Sequence, residues 1–337
     1  MKTTIKDVAR VAGVSVSTVS RVLSGSPRIS AETTERVKAI AEQMDYRPNL
    51  LARSLVERSS NIIAAVLPSS PSTLFSEPFF FDVLRGIGEY AAQEGYHLML
   101  STGCQAHNEE ESLRQLVASG IVGGVILLTS RIGDTLMDEL YSLHFPFVVL
   151  GHPRQEDDVA WVDNDNLAVG KAAARYLIDR GCKRLVYWDY SPEHSVSVLR
   201  RKGFEEAIND AGLSADEQAV VEVAWGTCTP DTDKFRQLFS GATPPDGIMA
   251  GDLMAMSLIS LLKEQVLRIP EDVSVVGFNN SPTALTCQPA LTSVDLSPAA
   301  LGRRTLELLL EQMNGTTLHH ENRFVPFQIV ERESVKK

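Results

Sequence analysis

Apolar residues recur at helical spacing through the first 45 positions. Ile5, Val8, Ala9 and Ala12 share one face of a stretch that stops at Gly13. Ser15 stands in the cap position of a second helix, 16–23, whose inward residues are Val19, Val22 and Leu23. Gly25 and Pro27 make a loop. Ser30 caps a third helix, 31 to about 44, with Val37, Ile40, Ala41 and Met44 facing inward. Pro48 forces an extended backbone at Arg47. Two short helices joined by a glycine-containing turn are the signature of a helix-turn-helix. Residues 49–57 predict a nine-residue helix that is marginal alone in water, so it needs a partner to form. A flexible linker with its leucines packed on the body is the alternative reading.

From Asn61 the pattern alternates short apolar runs with amphipathic stretches. Strands are predicted at 62–67, 96–101, 124–128 and 147–150, with helices at 81–94, 109–118 and 135–143. The pattern restarts after 161–164. Helices follow at 167–180, 198–211, 231–239, 253–264 and 298–314, among strands at 184–188, 220–223, 247–250, 273–277, 292–294 and within 323–331. Repeated strand–helix units with glycine helix stops predict parallel sheets covered on both faces. Two such sets imply two lobes, with a ligand cleft between them near the carboxyl ends of the strands. The fold class expected is α + α/β.

Composition narrows the function. The 337 residues are 44% hydrophobic and 22% charged, which suits a globular protein and excludes a disordered one. No apolar run approaches the ~18 residues of a membrane span, and the start has no secretory signal, so a cytoplasmic location is expected. The four cysteines are scattered without a Cys-x-x-Cys pair, which removes a zinc ribbon. The net charge of −11 divides unevenly: residues 1–58 carry +4 and the remainder −15. A basic head on an acidic body suggests that the head alone meets a polyanion.

The outward residues at the start of the second helix are Val16, Ser17, Thr18, Ser20 and Arg21. Small side chains let the backbone approach DNA, Arg21 is able to fork onto guanine, and Val16 to pack on a thymine methyl. A solvated face of a generic bundle is the bland alternative. In the body, Phe79 and Phe80 follow the first strand in the loop before its helix, where an aromatic pair would stack on a sugar; one ring in the core is the alternative. Arg200 opens a helix in Arg-x-x-Gly-Phe and suits vicinal hydroxyls or a carboxylate. Trp225 lies just after a strand, for stacking or for lobe core. Asp252 is favoured as an N-cap beside the cleft. Asn279 follows another strand end. Enzyme readings fail: Asp189, His194 and Ser195 are loop neighbours without a Gly-x-Ser-x-Gly elbow, and no glycine-rich phosphate loop exists. His319-His320 has no partner at metal spacing, so neither metal nor cofactor is expected.

Ile-Lys-Asp-Val-Ala (5–9), Ala-Gly-Val-Ser (12–15), Thr-Val-Ser-Arg-Val-Leu (18–23) and Tyr-Arg-Pro-Asn (46–49) resemble the N-terminal module of the LacI/GalR family of bacterial repressors, and the resemblance runs over essentially the whole chain. It implies a DNA-binding domain at 1–47, a hinge helix and linker at 48–60, and an effector-binding and dimerisation domain at 61–337. That last domain resembles periplasmic sugar-binding proteins. Its chain crosses between lobes near 160, 290 and 320, so one lobe spans about 61–160 and 291–320, the other 161–290 and 321–333. By the resemblance, Val16, Ser17 and Arg21 read operator bases, and Ser15, Thr18, Ser20 and Arg28 meet phosphates. Leu55, flanked by Ala52 and Arg53, wedges into the minor groove as part of a hinge pair. Phe79, Phe80, Arg200, Trp225, Asp252 and Asn279 match effector contacts. Two departures stand out: Asn279 replaces the family's usual Asp, and Gly251-Asp252 its common Asn-Asp. The Pro-Phe-Phe and Phe-Asn-Asn patterns look most like the maltose-operon repressor branch. The function implied is a repressor of a carbohydrate-utilisation operon, released from duplex DNA by a sugar such as maltose. The chain stops six residues beyond Glu331, too soon for a C-terminal heptad helix, so a homodimer is expected over a tetramer. A co-repressed regulator and a cytoplasmic sugar-binding module are the alternatives.

Overall fold

The computed structural model describes residues 3–23, 28–46, 60–66, 77–101, 109–133, 135–153, 159–190, 192–214, 218–224, 227–315 and 323–337. The chain divides into two compact units, Met1–Ser60 and Asn61–Lys337.

The first unit holds α1 (Ile5–Ala12), α2 (Val16–Leu23) and α3 (Ala31–Gln43). Their inward faces join in one core of Val8, Ala9, Ala12, Val19, Val22, Val37 and Ala41. The start of α1 is fixed by Asp7, whose carboxylate accepts from Thr4 N and Thr4 Oγ1. Its end is fixed by Gly13 at φ 66°, a left-handed turn that a side chain would strain. Ser15 and Ser30 cap α2 and α3, accepting from Thr18 N at 3.1 Å and Thr33 N at 3.3 Å.

The second unit begins with β1 (Ile62–Val66), α4 (Pro78–Gln93), β2 (His97–Ser101), α5 (Glu109–Ala118), β3 (Gly124–Leu127), α6 (Thr135–Ser142), β4 (Phe147–Leu150) and β5 (Trp161–Val162). It continues with α7 (Asn166–Ile178), β6 (Leu185–Tyr190), α8 (Ser195–Asp210), β7 (Ala219–Val223), α9 (Thr232–Phe239), β8 (Gly247–Met249), α10 (Asp252–Glu264), β9 (Ser274–Phe278), α11 (Pro282–Thr286), β10 (Thr292–Asp295), α12 (Pro298–Met313) and β11 (Gln328–Val330). One sheet is ordered β2-β1-β3-β4-β5 and is parallel throughout. The other is ordered β11-β10-β9-β8-β6-β7, and only the β10–β11 pair is antiparallel. Each sheet is covered by apolar clusters on both faces, which is why β3, β4 and β9 read as unbroken hydrophobic runs. The strand order reverses between β1 and β3, and again between β6 and β8, so each lobe has its crevice at those carboxyl ends.

Two expectations need correction, the loop placement of the aromatic pair and the lobe of residues 292–295. The aromatic pair is not in a loop: α4 begins at Pro78, whose missing N–H is harmless at the first helical position, and Phe79 and Phe80 lie on the first turn. Trp161-Val162 pairs with β4, so the first crossing follows Val162. β10 pairs with β9, so residues 292–295 belong to the second lobe, and the second crossing follows Asp295. The third crossing passes Phe324, which bridges to Asp163, before β11 joins the second sheet. Asn164 holds the three together, its Nδ2 donating to Leu296 O at 3.1 Å and Val325 O at 2.8 Å.

Candidate functional site

Two surfaces matter, one in each unit. On α2, Val19 and Val22 turn into the core, while Ser15, Val16, Ser17 and Arg21 are exposed and Thr18 and Ser20 half-buried. The Ser15 hydroxyl lies 2.7 Å from Ser17 Oγ and 2.8 Å from Thr18 Oγ1, so the helix opens on a cluster of three hydroxyls with no acidic side chain in its first turn. That end carries the positive pole of the helix and its unsatisfied amides, which suits a phosphate. Arg28 is exposed two residues before the cap of α3. The structure thus brings seven of the ten expected DNA contacts onto one helix-turn-helix and the start of α3. Ala52, Arg53 and Leu55 lie outside the described residues.

In the second unit a cavity of about 110 Å³ lies between the lobes, lined by Glu77, Phe79 and Phe80 on one side and Asp189, Tyr190 and Arg200 on the other. Segments leaving β3, β4, β5, β6, β8 and β9 complete it. Phe79 and Phe80 meet edge to face at 5.5 Å, and both line the cavity, although Phe80 is also packed into the first-lobe core. Arg200 is held in place by a backbone contact. A Cβ on Gly170 of α7 would come 2.1 Å from Arg200 O, and one on Gly203 of α8 would come 2.1 Å from Leu167 O. Only glycine allows the two helices this approach. The Arg200 guanidinium lies 4.9 Å from the Phe278 ring centroid, and its Nε donates to Asn166 Oδ1 at 2.8 Å.

The two lobes also touch directly. Tyr190 OH donates to Glu77 Oε1 at 2.6 Å. Ile132 N donates to Glu193 O at 2.9 Å and Ser195 N to Ser130 O at 3.2 Å, around the Arg131–His194 bridge. Thr129, Trp188, Ser195 and Ser197 are among the lining residues, and the side-chain polar atom of each is buried without a hydrogen-bond partner among the described residues. Buried polar atoms left unpaired are costly.

Burial dominates the titration of the site. It raises Asp189 to about 7 and Asp163 to about 6, against the hydrogen bonds and Arg200 charge that favour their ionised forms. Glu77 is raised for the same reason, with Tyr190 and Arg200 opposing and Asp252 adding to it. Burial and the nearby Arg131 push His194 down to about 4, so its ring is neutral at neutral pH. Although Asp189, His194 and Ser195 all line the cavity, the Ser195 hydroxyl accepts and donates to nothing among the described residues, and no base activates it. Among the described residues no group of three or more His, Cys, Asp or Glu could hold a metal ion.

Of the expected effector contacts, Phe79, Phe80, Arg200 and Asn279 come together here, and Trp225 lies outside the described residues. Asn279 takes a left-handed conformation, φ 98°, which asparagine tolerates better than most residues. Asp252 is neither the cap nor part of the wall. Gly251 takes the extended cap position, and Asp252, the first helical residue, turns its carboxylate inward. That carboxylate accepts from Ser281 N at 2.6 Å and Ser293 Oγ at 2.6 Å, tying down the loop that presents Asn279. The sequence did not mark Glu77, Asp163, Asp189 and Tyr190 as lining the cavity. The usable signal was a carboxylate directly behind a buried strand run, as at Asp189 and Asp163.

Comparison with known proteins agrees with this architecture. Residues 4–49 match the description "Bacterial regulatory proteins, lacI family", and residues 174–335 match a periplasmic binding protein-like domain. The chain is 33% identical to the HTH-type transcriptional regulator MalR of Staphylococcus xylosus over 334 residues, covering 98% of this chain and 97% of the relative. It is 33% identical to the regulator CelR of Thermobifida fusca over 336 residues, 98% of each chain. A solved CelR–cellobiose complex superposes with a TM-score of 0.75 at 31% identity, covering 99% of this chain and 100% of that one. Among the described residues no helix is long and apolar enough to cross a membrane. A LacI-type DNA-binding module joined to a two-lobed periplasmic-binding-like domain, with relatives alike over nearly their full length, makes this chain a member of the LacI family of transcriptional regulators.

Proposed function

We propose that the protein is a dimeric repressor of a carbohydrate-utilisation operon, acting in the cytoplasm at the nucleoid and released from its operator by a neutral disaccharide. Maltose is the first candidate, from the resemblance to the maltose-operon branch, and the CelR relative, solved with cellobiose, supplies the second. The observation that carries the reading is the cavity between the lobes, whose lining joins the Phe79–Phe80 aromatic pair with Arg200 and Asn279 at the carboxyl ends of both sheets. Aromatic faces suit the apolar face of a sugar ring, and fixed polar groups suit its hydroxyls. On the DNA side, Val16, Ser17 and Arg21 read bases and Ser15, Thr18, Ser20 and Arg28 hold phosphates. Ala52, Arg53 and Leu55 engage the minor groove. A two-fold dimer matches an operator of two half-sites.

The test uses duplex DNA selected in vitro by the protein, labelled for fluorescence anisotropy and titrated with maltose and with cellobiose. Release by either sugar at constant salt supports the reading. Selection of no preferred duplex, or a complex indifferent to both sugars, refutes it.

A further inference from the structure

The turn that follows β9 is held from outside the cavity. Asn279 lines the cavity, and its neighbours Asn280 and Ser281 do not. Asn279 and Asn280 both take positive φ, 98° and 49°, a succession that non-glycine residues keep only where their surroundings impose it. Each N–H of the turn has its own anchor. Asn279 N donates to Val294 O at 2.9 Å, Asn280 N to Ser293 Oγ at 3.0 Å and Ser281 N to Asp252 Oδ2 at 2.6 Å. The Asn280 side chain has a separate tie, its Oδ1 accepting from Arg332 Nη2 at 2.5 Å. Arg332, two residues beyond β11, is half-buried and does not line the cavity. It is fixed in turn, Nη1 donating to Leu291 O at 2.6 Å and its backbone N to Thr292 Oγ1 at 2.9 Å. The guanidinium fork therefore spans two oxygens, one just before β10 and one on the turn, through bonds that its charge strengthens. Burial pushes Asp252 up to about 6, and the bonds from Ser293 and Ser281 and the Arg332 charge work against that shift. The same cation thus supports both the side-chain and the backbone anchors of the turn.

Resting on the reading of this cavity as the sugar site, we infer that Arg332 is a positioning residue for the effector: acting through Asn280, it fixes the turn that carries Asn279 and so sets the affinity of that residue for a sugar. Without the fork, the Asn280 side chain loses its anchor and the turn is free to leave its positive φ values. A sugar would then have to order the turn again on binding, which weakens the complex. Arg332 itself touches no sugar, and its effect reaches the cavity by way of Asn279.

The test is a double-mutant cycle on the full chain, read by calorimetric titration with maltose and cellobiose. Arg332→Met should weaken sugar affinity roughly tenfold. In an Asn279→Ala background the same change should cost less than about twofold, because its route to the ligand is gone. Arg332→Lys, which keeps the charge, should recover part of the loss. A merely structural role would lower the thermal transition and leave the cycle additive. Ser334→Ala supplies the comparison, since it removes bonds to Val275 O and Thr292 N in the same closing segment without touching the turn. Its sugar affinity should stay within about twofold of wild type. Equal losses from Arg332→Met in both backgrounds overturn the inference and leave the sugar-site reading standing. So does an Arg332→Met protein that binds sugar like the wild type, or a Ser334→Ala protein that loses as much. If Arg332→Met does not fold, Asn280→Gly decides in its place, because it removes the acceptor and still admits a positive φ. If neither sugar binds the wild type, the sugar-site reading fails and takes the inference with it.

Discussion

Arg200, which lines the cavity, and Asn166 are joined through Nε and Oδ1 at 2.8 Å. Asn166 is itself fixed, its Nδ2 donating to Asp163 Oδ1 at 2.8 Å. The Arg200 guanidinium is thus set by a relay from the buried carboxylate of the first crossing, through the first residue of α7, to the middle of α8.

Removing that cation should be felt by the sugar. Arg200→Ala should weaken sugar affinity at least tenfold, because charge-assisted hydrogen bonds contribute roughly 1.5–3 kcal/mol each. Calorimetry on the purified protein measures it. An affinity within twofold of wild type would remove Arg200 from the site.

Arg21 is exposed on the outer face of α2. Arg21→Ala should cost roughly 1–3 kcal/mol on the preferred duplex and far less on random DNA. Equal losses on both would make Arg21 a phosphate contact.

The raised carboxyl of Asp189 has a consequence for stability. Folding lifts it from 3.8 to about 7, so between about pH 4 and 7 the folded chain holds a proton that the unfolded chain has lost. Stability from this group therefore falls as the pH rises through that window. His194, pushed down to about 4, works oppositely: below about pH 6.5 the unfolded chain gains a proton that the folded ring refuses. Asp189→Asn removes only the first effect. Its stability relative to wild type should increase from pH 5 to pH 8, by roughly 2–3 kcal/mol. Chemical denaturation at the two pH values reads the difference, and a pH-independent gap would show that Asp189 is not the titrating group.

A helix of nine residues, the length the sequence predicts for 49–57, is marginal alone in water. If sugar releases DNA by melting a pair of such hinges, joining them should block release. Oxidised Val56→Cys dimers should hold operator DNA at sugar concentrations that release the reduced protein, while calorimetry still registers sugar binding. Release from the oxidised dimer would shift the switch to reorientation of the DNA-binding heads.

Local physics made most elements legible. Gly13, Ser15 and Ser30 act within one turn of their own position, so α1, α2 and α3 could be bounded from neighbours alone. Pro78 misled because proline ends helices more conspicuously than it begins them, and the start of α4 was placed three residues late. The sheet to which β10 belongs could not be read, since a four-residue strand carries no mark of its neighbour. The cavity was half legible. Arg200 and the aromatic pair announce themselves by type, but Glu77 becomes part of the site only through Tyr190, 113 residues away. Asp252 shows the reverse: its residue type fits a cap, and Gly251 took that place because its extended backbone freed the carboxylate for the Asn279 loop.

Asn164 binds one carbonyl on the second crossing and another on the third, while standing on the first itself. Three strands of chain clamped at one side chain cannot slide past one another separately. What remains to the lobes is rotation about a common axle through that amide, so any torque a sugar exerts by drawing the walls together is delivered to the whole lobe as a turn.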